Sequence, residues 1–180
     1  MKIFVKVNVG AIIQDHVNTL VNAKTKKPGW DDWMTFVVIP ALFSLLISHI
    51  GIGLGTNAIT IIITALSIFV GLLFNVVVLV FDILKRDSSN PTKNRLLRQI
   101  LANISFTILL SIFIIALSFI SLVKGHAIFK ICTDYIIYFF LSVFFITLVM
   151  VLKRMYLLFE NEMKEIERLQ RMGTEEKEGE

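Results

Sequence analysis

Charge is missing from the longest stretches of this sequence. Residues 34–54, 57–81, 100–123 and 135–152 contain no Asp, Glu, Lys or Arg. Over all 180 residues charged side chains make up 18% and hydrophobic ones 56%, with a mean hydropathy of +0.76. An average soluble domain carries about 25% charge, spread along the chain. A water-soluble globular domain is therefore excluded, because it has no means of hiding such runs.

Cysteine is almost absent. Cys132 stands alone, so no intramolecular disulfide forms and the redox compartment cannot be read. The three histidines, His16, His49 and His126, are scattered, with no Cys, Asp or Glu at metal-ligand spacing. No Ser-His-Asp set is suggested. Gly51, Gly53 and Gly55 make a G-x-G-x-G string, but no strand precedes it, and it reads as a tight hairpin between two helices. The expectation is a protein that is not an enzyme, with no catalytic residue, cofactor or metal. Proton- or ion-coupled pumps usually need ionisable groups at membrane depth. Their absence from the apolar runs argues against such a transporter.

The four apolar runs themselves are near or above the roughly 18 residues that a spanning helix needs. Backbone groups in hydrocarbon must be satisfied within the segment, so the spans are helical. At about 1.5 Å per residue the second run exceeds a core of about 30 Å, and it should tilt or protrude. The expected fold class is an all-α integral membrane protein with four transmembrane helices, at about 34–54, 57–81, 100–123 and 135–152. A cytoplasmic amphipathic segment (1–33) precedes them, a loop (82–99) joins the middle pair, and a helical tail (153–180) follows.

Orientation comes from the basic residues. Of the 18 Lys and Arg, all but Lys124 and Lys130 fall in the two terminal segments and the 82–99 loop. The positive-inside rule then places both termini and that loop in the cytoplasm. Met1 to Val9 alternates rather than forming an apolar core, and it does not read as a signal peptide. Ile12, Ile13, Val17, Leu20 and Val21 share one helical face, opposite Gln14, Asp15, Asn18 and Asn22. That helix lies on the membrane surface or packs on other cytoplasmic elements.

Lys27, Pro28 and Gly29 form a turn. Trp30 and Trp33 follow as interface anchors, around Asp31 and Asp32, which suit a helix start or the mouth of a cation site. Pro40 should kink the first span and free the carbonyl near Phe36. In the tail, Met155, Phe159, Met163, Ile166 and Leu169 recur at spacings of three and four, continuing span four to Met172. After Gly173 the sequence TEEKEGE is expected to be disordered.

Uncharged polar residues are ordered along the spans. Thr60, Thr64, Ser67, Gly71 and Asn75 share one face of span two. Asn103, Thr107 and Ser111, with Ser118 beyond, share one face of span three, and span one offers Pro40, Ser44 and Ser48. Such stripes either pack helices together or line a water-filled path. Asn75 and Asn103 lie about 9 Å and about 5 Å from the inner ends of their spans. An unpaired amide in hydrocarbon is costly, so the two are expected to face each other or a cytoplasmic vestibule. The basic set Lys85, Arg86, Lys93, Arg95 and Arg98, joined by Lys24, Lys26 and Lys27, sets topology and binds anionic headgroups, or else contacts an anionic ligand such as a nucleotide or oligonucleotide.

The most distinctive string is PGWDDWMTFVVIPALFS at 28–44. In its topology the whole chain resembles the small channel-type membrane effectors of bacterial antiphage defence, the Hailong effector among them. It is also similar to the immunity proteins against pore-forming colicins. The first resemblance implies a homo-oligomeric, multi-pass ion channel or pore of the bacterial inner membrane, gated from the cytoplasm. The second implies a non-conducting membrane partner. Both are resemblances of architecture, and no residue role is carried over from either.

Overall fold

The computed structural model describes residues 9–20, 30–51, 53–86, 91–122 and 127–178, which form only helices and short turns. The elements are α1 (Val9–Leu20), α2 (Trp30–Trp33), a π-helical segment (Met34–Val38), α3 (Ile39–His49), α4 (Thr56–Arg86), α5 (Pro91–Ser121) and α6 (Ala127–Glu178). Three of them, α4, α5 and α6, are long and apolar enough to cross a membrane, and a shorter apolar helix covers Met34–His49.

A seven-residue period holds the long helices together. Ile59, Leu66, Leu73 and Val80 form one buried row on α4, and Ile137, Phe144, Val151 and Leu158 form another on α6. Between them α5 carries two interleaved rows: Leu97, Ile104, Ser111 and Ser118, then Ile100, Thr107, Ile114 and Ser121. A strict seven-residue repeat is the spacing of left-handed, coiled-coil-like packing. The small hydroxyl residues in the α5 rows let its neighbours approach closely. Two apolar clusters stack along this seam, one around Phe144 and Ile114, the other around Ile104 and Leu158.

The result is an open arc of helices. In spatial order it runs α4, α5, α6, α3, with α1 laid against α5. Within the most apolar window of each helix, 44% of α5 is buried but only 11% of α4. One whole side of α4 therefore meets nothing in its own chain among the described residues.

Several expected boundaries move. The first apolar helix stops at His49 rather than residue 54. Ile50 donates its N–H to the Leu46 carbonyl (3.1 Å) and Gly51 donates to Ser48 (3.2 Å), with Gly51 at φ +76°. Only glycine adopts that left-handed conformation without penalty. Ahead of Pro40, the Ile39 N–H bonds to the Met34 carbonyl, five residues back. The π turn absorbs the register change that the missing proline donor imposes, in place of the simple kink expected.

The 82–99 loop is mostly helix. Pro91 sits first in α5, where its missing N–H does no harm, and Leu97 continues the buried row. The fourth span starts at Ala127, eight residues early, because Thr133 and Asp134 are buried. At the other end α6 runs through Gly173 to Glu178, so the segment expected to be disordered is helical to that point. Its Glu and Lys residues are good helix formers, and a single glycine costs only about 1 kcal/mol.

Candidate functional site

A buried polar cluster forms where α1 meets α5, at the end of the arc that carries most of the basic side chains. Asn103 is completely buried. Its Oδ1 lies 2.9 Å from His16 Nδ1 and 2.8 Å from the Thr19 hydroxyl. In this orientation of the amide, His16 donates from Nδ1. The Thr19 hydroxyl also lies 2.7 Å from the His16 carbonyl, so its one proton serves two acceptors. The His16 ring stacks on Phe106 at 3.9 Å and meets Phe36 edge-on at 5.8 Å. From α6, Arg154 donates Nη2 to the Thr19 carbonyl at 2.9 Å. Three elements are thus tied to α1 through one histidine and one threonine.

The electrostatics of this cluster favour a neutral His16. Burial pushes its pKa below the ordinary 6.5; the bond to Asn103 opposes this, and the nearby Arg154 charge adds to the lowering. Two buried donors, Asn103 Nδ2 and Arg154 Nη1, have no hydrogen-bond partner.

This geometry overturns the expected meeting of Asn75 and Asn103. Asn75 is exposed on α4, and Asn103 turns the other way, to α1. The expected apolar face of α1 is displaced as well. Ile13 and Val17 are 44% and 41% exposed, whereas His16, at 3%, is its buried centre. A polar residue outcompetes two aliphatic ones because it, with Thr19, meets the buried Asn103 Oδ1. The helix packs on α5, at Asn103 and Phe106.

The two polar stripes have opposite fates. Thr107, Ser111 and Ser118 on α5 are fully buried and donate back to carbonyls one turn earlier, at 2.7–2.8 Å. Thr60, Thr64, Ser67, Gly71 and Asn75 on α4 all lie on the exposed side. Three of their hydroxyls also bond back within the helix, Thr60 to Thr56, Thr64 to Thr60 and Ser67 to Ile63. Asn75 has no side-chain partner among the described residues.

At the opposite end Asp134 is 6% exposed. Its Oδ2 accepts the Leu54 N–H at 3.1 Å and its Oδ1 accepts the Ser121 hydroxyl at 2.9 Å. This carboxylate joins the glycine-rich turn, the end of α5 and the start of α6. The apolar-run reading assigned it to a loop and so missed it. An acid flanked by Thr133 and Tyr135 at a run's edge was the available signal.

Lys93 pairs with Glu162 at 2.5 Å, and Lys85, Arg95 and Arg98 are exposed. Lys24, Lys26 and Lys27, with the Pro28–Gly29 turn, lie outside the described residues. The side chains of Asp31, Asp32 and Arg86 are outside the description too. Trp30 and Trp33 are 81% and 60% exposed at the start of their helix. Among the described residues no group of three or more His, Cys, Asp or Glu is placed to hold a metal ion. Between α3 and α6 lies an apolar cleft of about 390 Å³, lined by Phe43, Tyr138 and Phe145 among others.

No protein-family model matches the chain, and neither does any curated protein or any solved structure.

Proposed function

We propose that this protein is an oligomeric membrane pore or channel-type effector, with four spanning helices, cytoplasmic termini and gating from the cytoplasmic side. The observation that carries this reading is Asn75. An exposed amide without a partner among the described residues, inside the charge-free run of α4 and about 9 Å from its inner end, is a costly group to hold against hydrocarbon. Water, or an amide on another copy, would satisfy it. The α4 hydroxyls need no such help, since their protons are already used within the helix. Several copies arranged with α4 inward would give a narrow, uncharged path, gated by its apolar rings.

The interior of a single chain supports no path of its own. The α5 stripe is buried and bonded to its own backbone. Gating in this reading acts through α1, whose docking on Asn103 and Arg154 holds the basic end in one arrangement. A cytoplasmic anion, such as a nucleotide or nucleic-acid signal in antiphage defence, would compete for that arrangement through the exposed Lys85, Arg95 and Arg98.

Ion flux through purified protein in liposomes tests the reading. Flux in the natural protein that falls at least tenfold in Asn75→Leu supports a pore lined by α4. Well-folded protein that passes no ions favours the second reading, a non-conducting membrane partner such as an immunity protein. One observation favours that alternative: the back-bonded hydroxyls of α4 leave most of its stripe compatible with a flat, dry helix contact.

A further inference from the structure

A second face of α6, turned away from its buried row, is apolar over a long stretch. Phe145, Val149, Leu152, Tyr156, Phe159, Met163 and Ile166 follow one another at alternating steps of four and three, and each is 47–66% exposed. The row lies about 100–160° round the helix from Ile137, Phe144, Val151 and Leu158, and its first residue, Phe145, also lines the cleft against α3.

Lipid can cover only part of it. Helix α6 has 52 residues, about 78 Å at 1.5 Å per residue, against a hydrocarbon core of about 30 Å. Lys153 and Arg154 mark the place where the helix leaves its charge-free run. Phe159, Met163 and Ile166 lie beyond them, where lipid does not reach. Leu158 is still buried and Glu162 still pairs with Lys93 of α5. Beyond them Met163 and Ile166 are both more than half exposed, and apolar side chains on a helix in water gain by being covered.

We propose that a second copy of α6 covers this row, two helices pairing in parallel from the membrane into the cytoplasm. The proposal rests on α6 being a spanning helix, as in the function above. Two copies inserted the same way are necessarily parallel, so a twofold axis along the membrane normal matches each residue of the row with its own copy.

The period is the one that coiled-coil packing needs. Large apolar side chains carry about 150–250 Å² when aromatic, so seven half-exposed ones leave on the order of 600–700 Å² per copy. A pair would bury roughly 1,200–1,400 Å², within the size of a stable interface, about 1,200–2,000 Å². The charges beside the row are largely matched inside each chain: Glu160 pairs with Lys164 at 2.6 Å, and Glu162 with Lys93. Two copies can therefore approach without strong repulsion. Inside the bilayer the gain is close packing; beyond it the hydrophobic effect drives the pairing.

The test uses the full chain in nanodiscs or mild detergent, in a Cys132→Ser background because Cys132 is itself exposed. Single substitutions Phe159→Cys, Met163→Cys and Ile166→Cys should form disulfide-linked dimers under mild oxidation at least tenfold faster than Asn161→Cys or Arg168→Cys. In parallel, Met163→Glu with Ile166→Lys should lower the mass in solution from dimer or larger to monomer, with helicity unchanged, since both positions are exposed. Equal cross-linking at all positions, or a monomeric natural protein, overturns the proposal. So does a substituted protein that keeps its mass. Flux separates this from the pore reading: paired α6 helices without flux would sink the pore and leave the pairing intact. A substituted protein that keeps both its mass and its flux would sink the pairing instead and leave the pore intact.

Discussion

His16 and Asn103 show how one polar pair can outweigh a stripe of aliphatic side chains. Asn103 sits completely buried on α5, where an unmet acceptor would cost about 1–3 kcal/mol. His16 and Thr19 meet it, so α1 turns its histidine inward and leaves Ile13 and Val17 partly exposed. The pair also makes docking depend on pH. Burial lowers the His16 pKa below 6.5, so the unfolded or undocked state binds the proton more readily. The charged and titratable surroundings of the ring reduce to Arg154 of α6, while α5 and the π segment present Asn103, Phe106 and Phe36. The docking stability is fully present above about pH 6.5 and is lost as pH falls through the lowered pKa. The protection factors of the α1 amides, exchange rates corrected for the base-catalysed intrinsic rate, should therefore fall between pH 7 and pH 5, and His16→Gln should flatten that dependence. Protection factors that are equal at both pH values would rule out a neutral, buried His16.

At the scale of the element, helix ends are decided by a few local groups. The first apolar helix stops at Gly51 because that residue takes φ +76°. A Cβ there would meet no atom within 4 Å, so its only penalty is conformational. Gly51→Ala should cost about 1 kcal/mol, and Gly51→Asn less, since asparagine tolerates the left-handed region. Thermal unfolding in detergent reads the difference; a loss of several kcal/mol would mean that the turn has a packing role. The same turn is held from the other side by Asp134, which accepts the Leu54 N–H. Helix α6 gives the opposite case. Neither Gly173 nor the charged tail stops it, because helix-forming residues on both sides continue the backbone bonds.

For the whole molecule, the open arc leaves two large faces without partners among the described residues, the polar-striped side of α4 and the apolar row of α6. Both point to assembly, which is why function is sought between copies rather than within one. The arrangement in the membrane rests on the distribution of Lys and Arg. A reporter active only in the cytoplasm should work when fused after Glu180 and fail when inserted at Gly55. The reverse pattern would invert the proposed orientation and place His16 and the basic side chains outside.

Some of this was determined by the sequence alone. Charge-free runs of this length can only be helices, and the three- and four-residue spacing beyond Lys153 carries α6 past the apolar run. Those are local properties, set by backbone hydrogen bonding and side-chain period. The opposite fates of the two polar stripes were not legible. Thr64 on α4 and Thr107 on α5 have the same chemistry and the same spacing, and both bond to their own backbone. Which one is buried depends on which helix stands in the middle of the arc. The partner of Asn103, 87 residues away at His16, and the burial of Asp134 against Leu54 and Ser121 were equally beyond the sequence. A polar group's partner is set by which elements pack together, and a one-dimensional period records only the face it lies on. Tertiary packing made Asn103 a latch for α1 and left Asn75 exposed.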